Sequence, residues 1–131
     1  MSADPPDWTA LESFSFGDSA GLADELCALV LAGLKRATCW AAADGLLTDL
    51  GKRMVMLDGS GRPRAVLETV EITKRRFHEV DAAFARDEGE GDLSLEDWRA
   101  AHRRYFSRKG QFAEDMLLYC ERFVVVAVID E

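Results

Sequence analysis

Apolar residues first fall into a helical rhythm after Asp18. Leu22, Leu26, Leu29 and Val30 recur at spacings of four, three and one, which puts them on one stripe of an α-helix. Asp18 or Ser19 can cap its start, and Gly33 can end it in the left-handed conformation. An extended segment follows through Thr38 and Trp40, and the pattern then changes to alternation. Arg53–Leu57 predicts a strand, Asp58-Gly59-Ser60-Gly61 a turn, and Arg64–Arg76 a returning strand, together a hairpin. Asp81–Arg86 predicts one short helical turn. Glu88-Gly89-Glu90-Gly91-Asp92 predicts a loop, because two glycines so close disfavour regular structure. Ser94 opens a second helix running to Arg108, with Asp97 in an imperfect capping box and Leu93 and Trp98 at the positions of a hydrophobic staple. Leu117–Ile129 is strongly β-forming, and Phe123–Ile129 reads as a buried strand. Helices and strands mix without βαβ alternation, so the fold class is α+β.

The chain has 131 residues, enough for one domain but not two. Residues 1–15 read as an N-terminal arm that Trp8, Leu11 and Phe14 can tie down, and residues 16–131 as the domain. The arm is acidic, carries Pro5 and Pro6 and lacks a basic segment followed by an apolar one, so it does not read as a signal peptide. The longest uncharged apolar run, Leu26–Leu34, falls far short of a bilayer span, so no membrane partner is expected. Cys27, Cys39 and Cys120 are odd in number and widely spaced, which points to reduced thiols in a cytoplasmic protein rather than a disulfide framework or a zinc site. A net charge of −8 argues against a grip on long duplex DNA, which needs a basic surface. It leaves room for a local basic cleft that takes a short single strand or one nucleotide.

One segment is more specific. Gly33-Leu34-Lys35-Arg36-Ala37-Thr38 sets Gly-x-Lys-x-x-Thr directly after a helix. Phe16-Gly17-Asp18 precedes it, and Gly51, Phe84–Asp92, Ser94–Arg99 and Cys120-Glu121-Arg122-Phe123 follow in order. With these residues, the chain resembles the ASCH domain family from Phe16 to Val128. The resemblance implies a PUA-like mixed β-barrel flanked by helices, with a cleft lined by the Gly-x-Lys-x-x-Thr segment. Family members have been associated with RNA binding, with ribonuclease activity on single-stranded RNA and with hydrolysis of acylated cytidines. The acylcytidine-hydrolysing relatives use a Lys, a Thr and a Glu. These correspond to Lys35, Thr38 and Glu88, with Glu90 the alternative carboxylate.

The chemistry of such a trio is coherent. A Thr hydroxyl is a poor nucleophile until a base takes its proton. A lysine desolvated in an apolar cleft can lose enough basicity to be that base. The glutamate then holds the ammonium or passes a proton to the leaving amine. For RNA cleavage, Glu88 would instead deprotonate the ribose 2′-hydroxyl while Lys35, Arg36 or Arg99 stabilises the charged phosphorane. Arg99 and Arg103, Arg104 and Arg108, and Lys74-Arg75-Arg76 form either a track for a phosphate backbone or a solvated face balanced by Glu96 and Asp97. Tyr105 and Trp40 are candidates for stacking on a base. His78 and His102 read as structural, and Cys39 as buried packing. The acidic run Asp87–Asp92 lacks the spacing of a calcium loop, so neither metal nor cofactor is expected. Three functions remain open: a metal-independent ribonuclease on single-stranded RNA, an amidohydrolase of N4-acetylcytidine-type nucleosides, and a non-catalytic RNA-binding module. Chain length and the Gly-Glu-Gly-Asp loop resemble the larger ribonuclease-associated members of the family more than the compact amidohydrolases, which favours the first.

Overall fold

In the computed structural model, which describes residues 8–129, the apolar stripe forms helix α1 (Ala20–Leu31). Ser19 caps it, its Oγ accepting from the Leu22 N–H at 3.1 Å. Asp18, the other candidate cap, pairs with Arg108 instead. Residues 1–7 of the expected arm lie outside the described residues. Trp8 and Leu11 pack against Val55, Val66 and Ile129, and strand β1 (Ser13–Ser15) joins the sheet ahead of Phe16.

The remaining strands are β2 (Ala37–Ala41), β3 (Arg53–Leu57), β4 (Pro63–Arg76) and β5 (Leu117–Val128). They form one five-stranded sheet in the order β1-β3-β4-β5-β2. Only the β1–β3 pair is parallel. Among the described residues the edge strands β1 and β2 do not pair, so the sheet is barrel-like rather than closed. Phe14 and Ser15 of β1 nevertheless line the same cavity as Thr38 and Trp40 of β2, which requires the sheet to curl. Register shifts between β4 and β5 at Val66/Leu67 and Thr69/Glu71 supply bulges, which bend a strand. The α+β class is as expected.

Two helices follow β4. Helix α2 (Ala82–Glu88) is capped by Asp81, and α3 (Leu95–Arg108) by Ser94. Phe84, Ala85, Trp98 and Phe106 pack them onto Ala37, Ala41, Leu118 and Cys120 of the sheet. Each fully buried phenylalanine contributes about 1.5–3 kcal/mol of apolar burial. Leu26, Cys27 and Val30 of α1 cover Met56, Ala65, Leu67 and Phe123 in a second cluster. No helix of the described residues is long and apolar enough to cross a membrane.

Three expectations need correction. Glu88 is not in a loop; it is the last residue of α2, because Gly89, at φ +72°, supplies the left-handed C-cap one residue later. The strand Phe123–Ile129 is not buried along its length: Val124, Val125, Val126 and Val128 are all exposed. Pairing of β5 with β2 stops at Arg122, and beyond it β4 is the only strand neighbour among the described residues. Trp98 is more than a staple residue: its ring packs 5.4 Å from that of Phe77 and its Nε1 donates to Glu88 Oε2, while Leu93 stays 40% exposed.

Gly89 and Gly33 make a clean comparison. Both have positive φ, but a Cβ at Gly33 would meet nothing within 4 Å. At Gly89 it would lie 2.1 Å from the Leu34 carbonyl oxygen and 2.7 Å from the Lys35 nitrogen. Gly33→Ala should therefore lose about 1–2 kcal/mol, the left-handed penalty alone. Gly89→Ala should lose about 3 kcal/mol or more, because backbone atoms must move as well. Urea denaturation of both variants checks this; equal losses would contradict it.

Candidate active site

The turn after α1 delivers Lys35 into the protein. With Gly33 at φ +80°, the Leu34 and Lys35 N–H groups both donate to the Leu29 carbonyl, at 3.0 and 3.1 Å. The Arg36 N–H then donates to the Asp87 carbonyl at 2.6 Å, joining the entry to β2 to the last turn of α2. The tight seat of Gly89 on Leu34 completes the junction. Lys35 Nζ ends up 2.7 Å from Glu90 Oε2, 3.3 Å from Glu88 Oε1, 2.9 Å from the Ala37 carbonyl and 3.3 Å from that of Glu88. The Phe16 ring centroid is 5.3 Å away. The lysine side chain is 0% exposed and that of Glu88 2%, whereas Glu90 is 33% exposed.

Glu88 is held on its other oxygen by three groups from two more elements. Oε2 accepts from Trp98 Nε1, lies 3.2 Å from His102 Nε2 and 3.4 Å from Cys39 Sγ. The Trp98 and His102 rings, one helical turn apart on α3, stack with centroids 4.1 Å apart. His102 Nδ1 lies 2.9 Å from the Trp98 carbonyl.

These contacts set the charge states. Burial alone would raise the Glu88 carboxyl, but the charges of His102 and Lys35 and the hydrogen bonds from His102 and Trp98 bring it down to about 2. Burial alone would lower Lys35, yet Glu88 and Glu90 outweigh it and hold the ammonium above its ordinary value. His102 follows the same logic: burial lowers it and Glu88 more than restores it, so it is raised. Burial, reinforced by Glu88, pushes the Cys39 thiol well above its usual range. The expected lysine of lowered basicity is thus corrected. Lys35 is a fixed cation and no base for Thr38, because desolvation came with two carboxylates attached.

The cluster floors one half of a cleft. This polar half, about 270 Å³, is lined by Lys35, Glu88, Glu90, His102, Arg104 and Arg108. An apolar half of about 250 Å³ is walled by Trp40, Leu47, Met54, Leu67 and Phe123. Phe16, Gly17, Thr38, Cys39 and Tyr105 line both. The apolar half carries one polar row: Thr48 and Thr69 Oγ1 are 2.9 Å apart, and Thr69 donates to Glu121 Oε2 at 2.6 Å. A slot mostly apolar with a few convergent polar groups is the usual form of a small-molecule site. The Thr38 hydroxyl makes no protein hydrogen bond among the described residues.

The residues singled out from the sequence divide accordingly. Lys35, Thr38, Glu88, Glu90 and Tyr105 come together in the polar half, and Trp40 lines the apolar half. Arg36 and Arg99 line neither. The Arg36 side chain is 60% exposed and pairs with Asp87; Arg99 is on another face of α3. Ala101, Arg104, Tyr105 and Arg108 share the face turned to the cleft, the i, i+3, i+4, i+7 spacing of one stripe. Arg103 pairs with Glu114, Arg75 with Asp81 and Arg108 with Asp18, so carboxylates balance these residues as in the solvated-face alternative. His102, Trp98 and Glu121 were missed as site residues, and Cys39 faces the cleft rather than serving as packing alone. The four-residue spacing of Trp98 and His102 was the available signal for that pair.

Lys35→Met should destabilise the fold by about 3–5 kcal/mol, since removing one partner strands a buried carboxylate. Glu90→Gln should cost far less, because Glu90 stays in contact with solvent. Chemical denaturation of both variants tests this ordering; a Lys35→Met loss no larger than that of Glu90→Gln would contradict the burial described.

Comparison with known proteins places this geometry. The ASCH domain model matches residues 12–127. The crystal structure of an ASCH domain from Lactobacillus crispatus JV V101 superposes with a TM-score of 0.83 at 35% identity, covering 92% of this chain and 82% of that one. Protein EF3133 from Enterococcus faecalis V583 is similar at a TM-score of 0.80 and 31% identity, over 89% of this chain and 77% of its own. The hypothetical protein PH0355, at a TM-score of 0.54 and 12% identity over 79% of this chain and 93% of its own, shares the fold alone. No curated protein matches. With the family model spanning nearly all of the described fold, the chain belongs to the ASCH domain family.

Proposed function

We propose that the cleft takes one unstacked nucleotide of single-stranded RNA and cleaves the chain beside it through the nucleotide's own 2′-hydroxyl. RNA binding is associated with the ASCH family, and one observation carries the finer reading. Glu90, a partly exposed carboxylate tethered 2.7 Å from the buried Lys35 ammonium, lines the same half of the cleft as Arg104 and Arg108. The base role moves from Glu88 to Glu90, because Lys35, Trp98, His102 and Cys39 already surround the Glu88 oxygens.

In this reading the base lies in the apolar half, beside Tyr105 and Trp40. Glu121 accepts from an exocyclic amino group, the recognition a carboxylate makes with cytosine. Glu90 takes the 2′-hydroxyl proton, and the 2′-oxygen attacks the adjacent phosphorus. The bond to the 5′-oxygen breaks, that oxygen takes a proton from solvent, and a 2′,3′-cyclic phosphate remains. Arg104 stabilises the extra phosphorane charge, joined by Arg108 once the phosphate displaces Asp18 from it. Lys35 acts through Glu90, fixing its position. The amidohydrolase reading keeps one observation in its favour, the unengaged Thr38 hydroxyl lining both halves of the cleft.

A labelled single-stranded RNA with one 2′-deoxy nucleotide tests the mechanism. Wild type should cut the all-ribose strand to cyclic-phosphate ends and spare the deoxy position. Glu90→Gln should slow cleavage by about 10²–10⁴, the usual worth of a positioned base. Unchanged cleavage in Glu90→Gln, or acetate released from N4-acetylcytidine by a protein that leaves RNA intact, would overturn the proposal.

A further inference from the structure

Cys39, Glu88 and His102 converge from β2, the end of α2 and the middle of α3. Their ligand atoms lie within 4.8 Å of one another. Cys39 Sγ is 3.4 Å and His102 Nε2 3.2 Å from Glu88 Oε2. Atoms bound to one tetrahedral zinc at about 2.0–2.3 Å stand roughly 3.3–3.8 Å apart, so the two separations from Glu88 Oε2 need almost no adjustment and only the Cys39–His102 pair has to draw in.

The outer sides of the ligands are already engaged. His102 Nδ1 faces the Trp98 carbonyl at 2.9 Å, and a carbonyl only accepts, so Nδ1 carries its hydrogen and Nε2 is the atom turned inward. Glu88 Oε1 is held by Lys35 at 3.3 Å, and Trp98 Nε1 donates to Oε2. An imidazole N–H on a backbone carbonyl and a hydrogen-bonded carboxylate are the outer contacts that orient metal ligands. From this arrangement we infer a binding site for one zinc-class divalent cation, with Cys39 Sγ, Glu88 Oε2 and His102 Nε2 as ligands and a fourth position open to the cleft. All three residues line its polar half.

Thiolate, imidazole and carboxylate together select zinc or cobalt(II) over magnesium or calcium, which prefer all-oxygen sites. The sequence expectation of no metal rested on the spacing of the acidic run and of the three cysteines; folding brings one cysteine and a histidine to Glu88. The inference does not depend on which reaction the cleft performs.

The test is spectroscopic. Chelator-stripped full-length protein titrated with Co²⁺ should develop visible d–d bands and a thiolate-to-cobalt charge-transfer band, saturating at one equivalent and erased by Zn²⁺. Cys39→Ser should lose the charge-transfer band, and His102→Gln should weaken Zn²⁺ binding at least about tenfold by calorimetry. Should either variant misfold, wild type still decides. Zn²⁺ must protect Cys39 from alkylation, as read by mass spectrometry, while Mg²⁺ does not. Absence of a thiolate band, or alkylation of Cys39 at the same rate with and without Zn²⁺, would overturn the site. None of these readouts involves RNA, so failure here leaves the cleavage proposal standing, and failure of cleavage leaves the metal site standing.

Discussion

A lysine ammonium sealed from water between two carboxylates is the constraint around which this ASCH domain is arranged. Burial of a lone charge is expensive, and the expense is offset only if every hydrogen of the ammonium meets an acceptor. Lys35 satisfies that condition with Glu88, Glu90 and two backbone carbonyls. Its position therefore dictates the positions of the last residue of α2, the loop after it and the first residue of β2. The left-handed glycines at 33 and 89 let the two chain segments approach closely enough for those contacts.

The same cluster divides the cleft into regions of different chemistry. Glu88 is shielded and fully engaged, so it acts as a brace; Glu90 shares the lysine but stays reachable. Across from them the α3 face presents Arg104 and Arg108. A chain with net charge −8 thus sets two arginines, Arg108 paired with Asp18, beside a small polar floor. In the function proposed above, that combination takes one nucleotide rather than a long phosphate backbone, whose grip grows with the number of neutralised phosphates.

Much of the frame was legible in the residues. The stripe of α1, the hairpin of β3 and β4, and the Ser94 cap depend on local periodicity and capping, and each formed as expected. Lys35 was legible through the Gly-x-Lys-x-x-Thr segment. Glu88 was identified but misplaced in a loop, because the helix-ending role of Gly89 reads the same as a loop glycine until tertiary packing is known. Arg99 was preferred to Arg104 and Arg108 because periodicity does not say which face of α3 meets the cleft, while Arg36, ahead of β2, turns outward to Asp87. His102 and Glu121 owe their place to long-range pairing: one reaches Glu88 from another helix, the other Thr69 across two strands. The four-residue spacing from Trp98 was the one local sign of His102, and nothing local marks Glu121. The lowered basicity expected for Lys35 reversed for the same reason, since its counterions lie more than fifty residues away in sequence.

The most direct test of this account is a ¹H–¹⁵N spectrum of the lysine side chains at neutral pH. Lys35 should give a resolved ammonium signal in slow exchange with water, with a coupling across its hydrogen bond to the Glu90 carboxylate, while exposed Lys74 and Lys109 exchange too fast to be seen. A Lys35 signal lost to exchange along with those two would show an amine in open water, and the arrangement of the cleft derived from its burial would fail.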